Sequence, residues 1–262
     1  MSDSWMIDPH VHLWDPRNNP RLVTPLVKLL GSAPHVMNFA ARYAFPKEAI
    51  RFFRTPEYAT KNYLPHDFDA DCAHHPVAGL VYVEASWKEK GPLGPVGETR
   101  WVESLRASGR SGVEAIVAHA DLSLGRDVRP VLRAHLDASP RVRGIRDMLA
   151  WHASRDVMDF NEQPGRSASP SWRAGFECLS EFGLSFDAFC YDTQLGEIAA
   201  LAGAYPEQPI MLCHMGGPVG IGGPYGDVGQ TPPDPPHPPA LSRDPPSRSP
   251  SRSPAHRTLA RL

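Results

Sequence analysis

Hydrophobic positions along this chain follow two alternating rhythms. Nearly continuous apolar runs rich in Val, Ile and Leu occur at 77–86 (VAGLVYVEAS), 113–122 (VEAIVAHADL), 142–149 (VRGIRDML), 184–191 (LSFDAFCY) and 209–217 (PIMLCHMGG), with a shorter one at 5–14 (WMIDPHVHLW). Runs of this length without polar alternation predict strands buried on both faces. Helical spacing fills the intervals. The segment 97–108 (GETRWVESLRAS) predicts a helix, as does 193–205 (TQLGEIAALAGAY). Val128, Val131, Leu132, His135 and Leu136 recur on one helical face behind a candidate cap, Asp127. Trp172, Phe176 and Leu179 form another stripe, and Ser169-Pro170 before it supplies a cap oxygen followed by a residue suited to the first helical position.

Strands alternating with helices predict right-handed βαβ units and a parallel sheet. Six strands suit either a doubly wound sheet or an incomplete barrel. The polar residues argue for the barrel, because they stand at the C-terminal ends of many different strands: His10 and His12, Glu84, His119 and Asp121, Arg146, Asp187 and Tyr191, His214. A barrel gathers all its strand ends around one mouth, whereas a doubly wound sheet uses mainly the crevice at its switch point. The expected fold class is α/β, a (β/α)8 TIM-barrel type left incomplete at about six strands. Residues 15–75 break the rhythm with prolines and aromatics, and predict an insertion with one or two short helices.

Composition fits one large domain: 262 residues, 41% hydrophobic and 21% charged. The net charge of −2 gives no general attraction to nucleic acid or to a membrane surface, so neither is expected as a partner. No apolar run approaches the ~18 residues of a membrane span, and the N-terminus lacks the basic and apolar regions of a signal peptide. Four scattered cysteines, Cys72, Cys178, Cys190 and Cys213, form no CxxC pair, which suits a reducing cytoplasm.

Proline changes the picture at the C-terminal end. Ten of the 29 prolines fall in the last 32 residues, where five Arg outweigh two Asp. Residues 230–262 hold three Leu and no other large apolar side chain, too little burial to offset a chain entropy of ~1–2 kcal/mol per residue. A disordered tail of polyproline character is expected, so the chain divides into a barrel domain over 1–229 and a tail over 230–262. The tail reads as a PxxP ligand or linker, as a weakly basic RS-like arm, or as an out-of-frame reading of a GC-rich gene. The third reading best fits the abrupt end of the strand–helix rhythm near residue 228.

The chemistry centres on DPHVHLWD. Residues two apart in extended backbone face the same side, so His10 and His12 present two imidazoles together. Neutral imidazole is the commonest divalent-metal ligand, and a catalytic zinc takes three protein ligands with one position left open. His214, in MLCHMGGP, is the candidate third ligand or general base, and the glycines after it allow close approach of backbone to substrate. Glu84 is either paired structurally or part of the site. Arg146 either holds a substrate oxygen through its planar fork or pairs with Asp147 or Asp187. His152 either lies in a surface loop or lines the mouth and touches substrate, and Tyr191, like Asp187, has either a structural or a catalytic role at the mouth.

Taken together, IDPHVHLWD, LVYVEAS, VRGIRDMLAWH, LSFDAFCYDTQL and PIMLCHMGGPVGIGGPYG resemble the amidohydrolase-related family, the amidohydrolase 2 branch with its sugar-lactone and dicarboxylate-lactone hydrolases and its aromatic-acid decarboxylases. The resemblance spans about residues 5–228. It implies a (β/α)8 barrel and a zinc or similar divalent ion held by His10, His12 and His214. With the residues read above, the expected catalytic groups are His214, Arg146 and Glu84, and the expected substrate contacts Arg146, His152 and Tyr191. The small-molecule substrate would be a lactone or related carbonyl opened by activated water. Decarboxylation on the same site, or an inactive fragment serving as a Pro-rich scaffold, are the alternatives. The family also implies an aspartate ending an eighth strand. After Gly229 the acids are Asp234 and Asp244, both flanked by Pro and unsuited to a buried parallel strand. Open first and sixth strand edges are expected to favour self-association.

Overall fold

A computed structural model describes residues 6–30, 61–105 and 111–219, with scattered positions between 33 and 49. The Pro-rich tail and most of 31–60 within the expected insertion lie outside the described residues. The strands are β1 (Met6–Val11), β2 (Val77–Val83), β3 (Gly112–His119), β4 (Val142–Arg146), β5 (Ser185–Ala188) and β6 (Ile210–Leu212). The helices are α1 (Thr24–Leu30), α2 (Pro65–Asp71), α3 (Val96–Leu105), α4 (Arg129–Ala138), α5 (Pro170–Glu181) and α6 (Leu195–Ala204). Each strand is shorter than its apolar run, because the C-terminal residues of each run turn outward into the loops that carry the polar side chains.

The sheet runs β1-β2-β3-β4-β5-β6, and every neighbouring pair is parallel. Sequential order without reversal has no switch point, which removes the doubly wound alternative. Six parallel strands with helices between them form a curled, incomplete α/β barrel. No helix among the described residues is long and apolar enough to cross a membrane. All four cysteines are free thiols.

The core sits between sheet and helices. Trp172 stacks on Phe176, ring centroids 5.2 Å apart, and both meet Phe186 of β5 edge-on. These three rings are fully buried together with Leu80, Leu122, Leu132 and Ile145. Truncating such a ring to Ala costs about 3–5 kcal/mol. α5 approaches the turn at Leu122–Val128 so closely that a Cβ on Gly175 would stand 2.1 Å from the Leu122 carbonyl oxygen. That contact requires glycine in mid-helix.

Two expected caps are replaced. α4 begins at Val128 without a side-chain cap, so Asp127 does not serve. The short 3₁₀ turn Leu122–Val128 runs straight into the helix, Arg129 N donates to Arg126 O, and the Asp121 carboxylate caps that turn from Ser123 N. Ser169 stands before Pro170 as expected, but its hydroxyl pairs with Ser171 Oγ at 2.9 Å instead of capping α5.

Candidate active site

Strand alternation sets the first feature. Val11 is buried in the sheet while His10 and His12 emerge beside it. His12 Nδ1–H donates to Val83 O at 2.8 Å, which makes its Nε2 an acceptor facing His10. That atom lies 3.2 Å from His10 Nε2. Burial, then His12 and His214, pull His10 down to about 3. Burial, then Arg146, pull His12 down to about 4. Both rings are therefore neutral, the form in which imidazole is a lone-pair donor.

The second feature follows β6. The backbone turns sharply, with φ positive at His214 (50°), Met215 (54°), Gly216 (78°) and Gly217 (49°). A left-handed non-glycine residue costs ~1–2 kcal/mol, so His214 is held where it is against its local preference. Its ring meets His10 (centroids 4.6 Å) and Phe189 (5.7 Å). Burial and Arg146 lower its pKa. Gly217 is required, since a Cβ there would lie 2.7 Å from Cys190 O.

The third feature is a buried ion pair. Arg146 Nε donates to Glu84 Oε1 at 2.8 Å and Nη2 donates to Glu84 O at 2.5 Å. Ser86 N donates to the other carboxylate oxygen at 2.9 Å. Burial by itself would raise Glu84, but Arg146 and His119 hold its carboxyl down to about 2. The sequence left Asp147 and Asp187 as partners for Arg146, and the structure gives it Glu84. Asp147 is buried elsewhere, where Oδ2 accepts from Trp172 Nε1, Leu122 N and Arg166 Nη2 at 2.9–3.1 Å.

His152 and Tyr191 are brought together edge-on, ring centroids 6.3 Å apart, and both are buried. The Tyr191 hydroxyl donates to Met158 O, and His152 Nδ1 accepts from Ser154 N at 3.0 Å. These atoms fix the loop after β4 against β5, so the two rings form the wall beside Phe189.

Three further groups near the mouth, His119, Asp187 and Glu98, have contacts that the sequence did not show. His119 Nδ1–H donates to Arg146 O at 3.0 Å. Its strand-end position was visible, but not this tether. Asp187 is buried, accepts from Cys213 Sγ at 3.8 Å and is pushed up to about 6 by burial, which Arg146 and Cys213 oppose. Glu98 of α3 is buried beneath the site, where Oε1 accepts from Tyr82 OH and Ala85 N, both at 2.8 Å. Nothing in the sequence distinguishes it from a solvated helix carboxylate.

Among the described residues, no three His, Cys, Asp or Glu side chains form a ready metal cage. The donor chemistry nevertheless fits a divalent ion. His10 and His12 are neutral, and their Nε2 spacing of 3.2 Å matches two ligands on one tetrahedral zinc, for which Zn–N of ~2.0–2.1 Å gives ~3.3 Å.

No family model matches the chain. An uncharacterized protein, y4mH, of Sinorhizobium fredii is 30% identical over 218 residues, 82% of this chain and 64% of that protein. The chain thus spans about 64% of the length of this relative. Among solved structures, an amidohydrolase from Burkholderia multivorans with bound zinc is similar at 18% identity and TM-score 0.49, over 82% of this chain and 60% of that one. Amidohydrolase 2 from Bifidobacterium longum subsp. infantis is similar at 19% identity and TM-score 0.48, over 79% and 60%. A putative 2-pyrone-4,6-dicarboxylic acid hydrolase from Pseudomonas putida is similar at 15% identity and TM-score 0.46, over 85% and 63%.

Proposed function

We propose that this chain carries the hydrolytic site of an amidohydrolase-related barrel, acting on a lactone or related carbonyl of a small molecule. The observation that carries the reading is the convergence of His10 and His12 from β1 with His214 from beyond β6, beside the buried Arg146–Glu84 pair. Strands at opposite ends of the sheet deliver neutral imidazoles and a fixed guanidinium to one mouth. A hydrolase needs such lone-pair donors and a fixed positive charge where oxyanion character develops.

His10 and His12 would hold a divalent metal ion, with His214 completing the set or facing the developing oxyanion. Such an ion polarises a carbonyl and lowers the pKa of bound water. Arg146 orients the substrate's oxygen, and Glu84 keeps the guanidinium aimed by engaging Nε and Nη2. The buried wall of Phe189, Tyr191 and His152 excludes water from that side.

The reading separates from decarboxylation by product. Incubating the purified chain with a lactone panel and an aromatic-acid panel in labelled water should give ring-opened acids carrying one labelled oxygen. Release of carbon dioxide from the acids, with the lactones intact, would overturn the hydrolase reading in favour of the lyase.

A further inference from the structure

The segment after β1, including α1, and the loop after β2 line an open cavity of about 440 Å³, formed chiefly by Asn18, Asn19, Arg21, Thr24, Lys28 and Lys88. Three of these side chains are cationic, and no carboxylate lines the cavity among the described residues. Asp15, in the same loop, is engaged there, accepting from Arg17 N, Asn18 N and Asn18 Nδ2.

The lining is built rather than incidental. Arg21 Nη2 donates to Ala85 O, and its guanidinium stands 5.6 Å from the Trp14 ring centroid. Among the described residues no carboxylate forms an ion pair with Arg21, and burial disfavours its charge against the pull of Tyr82, Glu98 and Glu84. Asn19 is 2% exposed. Its Oδ1 accepts from Asp15 N at 2.7 Å, while its Nδ2 has no acceptor among the described residues. A buried amide donor without a partner is rare and costly. Lys88 is brought in by the bond from its backbone N to Pro20 O at 2.6 Å. The cavity therefore brings three cationic side chains and the unpartnered Asn19 amide donor together.

We propose that this cavity is a binding site for an oxyanion, the carboxylate or phosphate group of a small ligand, held by Arg21, Lys28, Lys88 and the Asn19 amide. Carboxylate and phosphate both match the planar guanidinium fork. An oxyanion would also give the Asn19 amide its missing acceptor. None of these residues belongs to the candidate active site, so the inference stands independently of the hydrolytic reading. Ala85, which tethers Arg21, directly follows Glu84, and this places the cavity on the same rim of the barrel.

Calorimetric titration of the full chain with inorganic phosphate and with malonate tests it, with uncharged malonamide as control. Saturable binding of at least one anion, none of malonamide, and weakening with added salt are expected. Tighter binding of phosphate assigns the site to phosphoryl ligands, and tighter binding of malonate assigns it to carboxylates. Arg21→Gln should weaken binding at least tenfold. Because Arg21 is partly buried, the double variant Lys28→Gln/Lys88→Gln on exposed positions provides the folding control: several-fold weaker binding with unchanged thermal unfolding. His10→Asn/His12→Asn should bind the anion as the parent does, even if lactone turnover is absent in both. No saturable heat with either anion up to about 10 mM, or equal affinity in the parent and all the cavity variants, overturns the proposal.

Discussion

His10 and His214 touch, ring centroids 4.6 Å apart, although they belong to the two ends of the sheet. Such contact requires the parallel sheet to curl, and it also fixes His214 in a left-handed conformation that L-residues avoid. A glycine at 214 would relieve that strain. We predict that His214→Gly leaves stability unchanged or raises it by about 1 kcal/mol, measured by urea unfolding, while hydrolysis is lost. A loss of stability would mean that the ring is there for packing.

The Arg146–Glu84 pair gives the opposite expectation. Removing one partner leaves an uncompensated buried charge, so Arg146→Met should cost about 3–5 kcal/mol. The double variant Glu84→Met/Arg146→Met should cost clearly less than the sum of the two single changes. Glu84 titrates below its ordinary value, so its contribution is complete above pH 4.5 and disappears as the pH falls toward 2. Arg146→Met should therefore flatten the acid limb of the stability curve.

Glu98 works in the other direction with pH. Burial, reinforced by the nearby Glu84, pushes its carboxyl up to about 7. The folded state then holds a proton that the unfolded state releases above about 4.5, so stability falls as the pH rises from 4.5 to 7 and is level beyond. Glu98→Gln keeps the Oε1 acceptor for Tyr82 and Ala85 and should remove that slope. Denaturant midpoints at pH 5 and pH 8 check this: the parent loses stability between them, and the variant does not.

The sheet ends predict association. Among the described residues β1 and β6 have no neighbour on their outer edges, and they expose Ile7 (55%), Met6, Met211 (59%) and Leu212. Unpaired edges with apolar side chains recruit other strands. Sedimentation velocity should show concentration-dependent association, and Ile7→Lys with Met211→Lys should shift the chain toward monomer. A parent that stays monomeric at all concentrations would contradict this.

Much of this architecture was legible in the residues. Uninterrupted Val-rich runs can be buried only as inner strands, and polar residues at the ends of many strands suit a barrel mouth, so all six strands and the His10–His12–His214 grouping were anticipated. What could not be read depends on pairing between distant elements. The partner of Arg146 comes from β2, and the choice of Glu84 over Asp147 follows from Asp147 being claimed by Trp172 and Arg166. Glu98 looks like any solvated helix carboxylate until α3 packs beneath Ala85. The cap expected at Asp127 failed because a 3₁₀ turn supplied backbone acceptors first.

The most direct test of the account is the initial rate of lactone ring-opening with zinc present, for the parent chain, His10→Asn and His12→Asn. The account predicts a rate above buffer for the parent and a loss of at least about 100-fold in each variant, with folding retained. A parent rate equal to buffer, or variants as fast as the parent, would contradict it.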